Sequence, residues 1–77
     1  MPISKTQIEV LKKAVEYSEK NPSFIWANFK NYAEIKSFDL SFNALLFKGF
    51  FEHETTGKNQ YANCFKLNKK KVEKLNL

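Results

Sequence analysis

A chain of 77 residues, 43% hydrophobic with eight Phe, three Tyr and one Trp, makes one domain around a small aromatic core and is far from a disordered composition. Its single cysteine, Cys64, excludes an internal disulfide and reads as a small buried strand residue in a reducing cytoplasm. No apolar run is long enough to span a bilayer and no charged-then-apolar leader is evident, so a cytoplasmic protein with no membrane partner is expected, while the net charge of +5 points to an anionic one.

Ser4-Lys5-Thr6-Gln7 has the form of a capping box, with Ser4 as N-cap and Gln7 reaching back. Ile8, Leu11 and Val15 then recur at helical spacing, and Asn21-Pro22 ends the helix, because the residue before a proline avoids the right-handed helical region. Val10, Ala14 and Tyr17 form a second apolar line, which fits either a helix wedged between two neighbours or a homodimer seam. Ser23 suits an N-cap or the lead-in to a strand, and Phe24-Ile25 fits a brief strand. Trp26, Phe29 and Ala33, with Tyr32 alongside, predict a short second helix to about Glu34. Lys36-Ser37-Phe38 makes the turn to a third helix, predicted from about Asp39 to Lys48. Phe38, Phe42, Leu45 and Leu46 fall on one face of that helix, and Gly49 is suited to the left-handed position past its end. Phe51 to Thr55 alternates loosely, Thr56-Gly57-Lys58-Asn59 is turn-prone, and Tyr61, Asn63, Phe65 and Leu67 alternate strictly, which predicts a β-hairpin with a basic tip. Asn68 is placed to cap a last helical turn in which Val72 and Leu75 grip the body while Lys69, Lys70, Lys71 and Lys74 stay in solvent. The expected fold class is α+β, mainly α, with a core of Ile8, Leu11, Val15, Trp26, Phe29, Phe42, Leu45 and Phe65.

The charge is unevenly placed. Residues 1–54 carry seven Lys and seven acids, whereas residues 55–77 carry six Lys against Glu73 alone. A polyanion-facing end and a merely solvated lysine tail both account for this, and nucleic acid is the commonest partner of such an end. All 13 basic residues are lysine. Arginine is the usual bidentate reader of guanine edges, and lysine a compact point charge suited to phosphates, so the bias favours backbone contact.

The order helix, short strand, helix, tight turn, helix, hairpin resembles that of the winged helix-turn-helix DNA-binding family. Leu45-Leu46-Phe47-Lys48-Gly49-Phe50-Phe51 resembles that family's junction, where the recognition helix ends in glycine and two hydrophobic residues lead into the wing. Phe65-Lys66-Leu67-Asn68 is similar to its returning strand. The resemblance covers nearly the whole chain, through degenerate hydrophobic patterns, and the Lys/Asn/Phe-rich composition is similar to that of small members from phages, plasmids and chromosomal cassettes. It implies one winged-helix domain over residues 1–77, divided into helix 1 (1–21), the helix-turn-helix (23–49), a β-hairpin wing (50–67) and a basic tail (68–77). It implies a DNA-binding regulator of transcription, or a replication accessory, of a mobile element. In that family the third helix enters a major groove while the wing touches a neighbouring groove or the backbone. On this chain the groove side is then Lys36, Ser37, Ser41, Asn43 and Lys48, the wing adds Thr56, Lys58, Asn59 and Gln60, and the tail adds Lys69, Lys70, Lys71 and Lys74.

One feature departs from the family. Advancing about 100° per residue from a core line at Phe42, the outermost positions of the third helix are Leu40, Ala44 and Phe47, where a duplex reader carries polar or basic residues. Either the helix is rotated with Phe47 buried under the tail, or this face meets a second subunit or another protein, or Phe47 stacks on unpaired bases of single-stranded DNA. A homodimer through Leu40 and Phe47 belongs to the second case. Catalysis is not expected: the only histidine, His53, reads as a surface strand residue beside Glu52 and Glu54. One His and one Cys make no zinc site, and Gly49 and Gly57 alone make no phosphate loop, so neither metal nor cofactor is expected. Two classes of function remain, DNA binding on duplex or single strands and a protein-interaction module.

Overall fold

A computed structural model describes residues 3–54 and 64–75. The chain runs α1 (Lys5–Ser18), β1 (Phe24–Ile25), α2 (Trp26–Ala33), α3 (Phe38–Phe47), β2 (Phe51–His53), β3 (Cys64–Leu67) and α4 (Lys69–Glu73). These elements form a mainly helical α+β fold with a three-stranded antiparallel sheet in the order β1-β3-β2. Phe24 and Ile25 pair with Phe65 and Cys64 on one side of β3, and Phe51, Glu52 and His53 pair with Leu67, Lys66 and Phe65 on the other. The hairpin is therefore present at its base, while its tip lies outside the described residues.

The start of α1 follows from Ser4, an extended residue whose hydroxyl accepts from the Gln7 amide at 3.2 Å. The other half of the expected capping box is replaced: the Gln7 side-chain oxygen accepts from Lys48 Nζ at 3.0 Å and ties α1 to the end of α3. Asn21 closes the helix, donating from both its amide and Nδ2 to the Tyr17 carbonyl just before Pro22.

The two apolar lines of α1 are one broad stripe. Val10, Leu11 and Ala14 are fully buried and Ser18 nearly so, whereas Ile8 is half-buried and Val15 is 37% exposed. The buried face is centred between the two lines because α1 packs on both α2 and α3. The homodimer seam through Val10, Ala14 and Tyr17 is thereby excluded: Val10 and Ala14 offer no surface. Tyr17 is half-buried, with Phe24, Phe29 and Tyr32 at 5.8, 5.5 and 4.8 Å between ring centroids.

Aromatic rings fill the space between helices and sheet. Phe42 stacks on Phe51 at 4.4 Å and meets Phe65 edge-on at 5.0 Å, while Phe29 touches Phe24 and Phe38 at 5.0 and 5.3 Å. Trp26 stands at the margin, half-buried, with Lys30 Nζ 5.0 Å above its ring. Cys64 is buried, as its place on the central strand requires.

Two junctions position α3. Before it, Glu34 (φ 50°) and Ser37 (φ 60°) both take left-handed backbone, and the helix starts at Phe38, one residue earlier than the sequence suggests. Lys30 Nζ and Asp39 pair at 3.1 Å across this turn, joining α2 to the first turn of α3. After it, Gly49 adopts φ 89° and the amides of Gly49 and Phe50 bond the Leu46 and Leu45 carbonyls at 3.1 and 2.9 Å, a Schellman end. Asn68 then locks the start of α4 onto that end. Its amide donates to the Phe50 carbonyl at 2.8 Å, its Nδ2 to the Gly49 carbonyl at 3.3 Å, and its Oδ1 accepts from the Lys71 amide at 3.3 Å. Val72 is buried and Leu75 half-buried against the body, as expected.

Candidate functional site

The surface of α3 is set by which of its rows the core takes. Phe38, Ser41, Phe42 and Leu45 are buried, and Leu46, expected on the same face as Phe42, is only half-buried. Ser41 lies on the i+3 position between Phe38 and Leu45, so the packed row includes it despite its hydroxyl. It is 7% exposed and is thereby withdrawn from the groove side where it was expected.

The opposite row is uncovered. Leu40 is 76% and Phe47 90% exposed, with Asn43 exposed and Ala44 half-buried between them. A helix rotated to bury Phe47 under the tail is excluded by that exposure. Spacings of three, four and seven residues from Leu40 put all four side chains on one ridge. Lys36 and Ser37 lie exposed in the turn at its head. Lys48, at its foot, is half-buried and holds Gln7, so it is committed within the fold.

Below the ridge lies a groove of about 480 Å³ that no stretch of sequence announces. It is lined by Ile3, Phe47, Phe50 and Leu75 together with the side chains of Lys48, Lys71 and Lys74. It was missed because its walls come from the approach to α1, the α3–β2 junction and α4, which only the folded chain brings together.

The four tail lysines are exposed, as expected, but they are not equivalent. Lys71 Nζ donates to the Lys48 carbonyl and sits 5.4 Å over the Phe50 ring, so it serves the end of α3. Lys69, Lys70 and Lys74 make no such contact among the described residues. Thr56, Lys58, Asn59 and Gln60, the expected wing residues, lie outside the described residues. His53 is exposed on β2, its ring 4.7 Å from that of Phe65. Among the described residues no three His, Cys, Asp or Glu side chains gather as a metal site, and no helix is long and apolar enough to cross a membrane.

Compared with protein-family models, curated proteins and solved structures, the chain matches none.

Proposed function

We propose that this chain is a winged-helix domain that binds DNA, presenting α3 to the nucleic acid with the β2–β3 hairpin and α4 as flanks. The element order, with β1 pairing to the returning strand of the hairpin in a β1-β3-β2 sheet, supports the winged-helix reading. The observation that carries the function is α3 itself: one row is immersed in the core and the opposite row is uncovered, in a chain whose whole charge excess of +5 follows residue 54. An exposed helix flanked by ammonium groups suits a groove walled by phosphates. Lys36, Ser37 and Asn43 are its polar contacts on the α3 side, and Lys69, Lys70 and Lys74 its phosphate contacts on the tail. Regulation of transcription or support of replication in a mobile element is the role such a domain would serve.

The test is fluorescence anisotropy on a 20-base-pair duplex and on a single strand at about 50 and 200 mM salt. Binding that weakens steeply with salt is expected, because each neutralised phosphate adds roughly 0.9 to the log–log slope on duplex DNA. Absence of binding to either strand form at the lower salt rejects the reading.

The exposure of Leu40 and Phe47 favours one alternative, a protein-interaction face or homodimer built on the same ridge. On that alternative Leu40→Asp or Phe47→Asp abolishes self-association or partner capture by burying a charge, which light scattering reads directly.

A further inference from the structure

If α3 faces DNA, its ridge carries the wrong chemistry for guanine and the right chemistry for one other base. We infer that α3 reads A·T base pairs in the major groove of duplex DNA through the thymine 5-methyl groups, with Leu40, Ala44 and Phe47 as the methyl contacts and Asn43 as the adenine reader. This rests on the DNA-binding reading above and deepens it by naming the strand form and base class.

The ridge itself offers three apolar side chains and one carboxamide, and the polar Lys36 and Ser37 lie in the turn at its head, off the stretch between Leu40 and Phe47. No arginine exists anywhere in the chain, Ser41 is buried, and Lys48 is turned to Gln7. A G·C pair presents the major groove with two acceptors on guanine and an amino donor on cytosine, and no methyl. An apolar ridge laid on those edges strips their water and returns no hydrogen bond, which is unfavourable. An A·T pair presents the thymine methyl beside an adenine edge whose acceptor and donor match the two ends of an Asn carboxamide. The spacing agrees as well. Leu40 and Phe47 are separated by about 10.5 Å of helix rise, roughly three base-pair steps, and Asn43 lies near the midpoint. A single α3 thus covers a short A·T run, with apolar contacts at both ends and one polar reader between them.

Unpaired strands and a protein partner compete for the same ridge, and one experiment separates all three. Anisotropy is measured on four labelled probes: a duplex with an A·T centre, the same duplex with deoxyuridine for thymidine, a G·C-centred duplex, and oligo(dT). Replacing thymidine by deoxyuridine removes only the methyl, so affinity is expected to fall about fourfold for each methyl contacted. Phe47→Ala and Leu40→Ala are expected to bind the thymidine and deoxyuridine duplexes more nearly alike, with unchanged melting since both side chains stand in solvent. Salt-dependent duplex binding that is equal for thymidine and deoxyuridine, or that favours G·C, overturns the inference and leaves the DNA-binding reading standing. So does discrimination that persists in full in both variants, or oligo(dT) bound more tightly than any duplex. Binding to none of the probes overturns both.

Discussion

Phe29 and Phe47 are the same side chain in opposite situations. Phe29 is fully buried with five aromatic rings at 5.0–6.3 Å, whereas Phe47 is 90% exposed. Removing a close-packed ring forfeits its transfer free energy and leaves a cavity that neighbouring rings cannot easily fill, so Phe29→Ala should cost about 3–5 kcal/mol. Phe47→Ala removes a ring that solvent already surrounds and should change stability by no more than about 0.5 kcal/mol. Urea titrations of the two variants check this pair. Similar losses in both would mean that Phe47 packs in solution. Trp26 falls between them: its rings touch Phe38 and Phe42 at 5.8 and 6.5 Å, but it is half-buried under Lys30, so Trp26→Ala is milder than Phe29→Ala.

At the scale of elements, the turn between α2 and α3 stores strain at two non-glycine residues. Glu34 has φ 50° and ψ 45°, a conformation that costs a residue with a Cβ roughly 1–2 kcal/mol. Glycine removes that cost and adds about 0.5–1 kcal/mol of chain entropy to be lost on folding, so Glu34→Gly should stabilise by about 0.5 kcal/mol. A thermal melt reads this as a rise of a few degrees in a domain of this size. The position was not legible in sequence, because a left-handed Glu follows from how α2 and α3 must pack and not from its own preference. The caps at Ser4, Gly49 and Asn68 were legible, because capping is local and acts on backbone within a few residues, whereas the bonds from Asn68 to the Gly49 and Phe50 carbonyls were not. Faces were less so. Periodicity put Val15 in the core and Leu46 on the packed face of α3, yet Val15 is 37% exposed because α1 packs on both α2 and α3, and in α3 Ser41 is buried while Leu46 is only half-buried. Of the candidate site, periodicity put Leu40, Ala44 and Phe47 outermost but left open a rotation burying Phe47, which its exposure excludes, and Asn43 was placed there only by the family resemblance. The commitments of Lys48 to Gln7 and of Lys71 to the Lys48 carbonyl could not, since 41 and 23 residues separate the partners.

Across the whole molecule the cationic excess divides into lysines that hold the fold and lysines that face solvent. Lys71 belongs to the first kind: it supplies a charged donor to a helix C-terminal carbonyl and covers the Phe50 ring. Losing those two contacts in Lys71→Gln should cost about 1 kcal/mol of stability. Lys69 and Lys70 are exposed on α4, without a hydrogen bond or ion pair from their side chains among the described residues. If they neutralise phosphates, the double change Lys69→Gln/Lys70→Gln leaves the melting temperature unchanged and weakens binding to every DNA sequence alike. It also lowers the log–log salt slope on duplex DNA by up to about 1.8, two phosphate contacts' worth. Lys71→Gln should do the reverse, lowering the melting temperature with little effect on the slope, because its ammonium is already engaged. The two variants, each carried through a thermal melt and a salt titration on one duplex, therefore give a crossed pattern. A slope that stays fixed in the double variant would make the tail a solubilising segment and move the phosphate contacts to the α3 side and the hairpin.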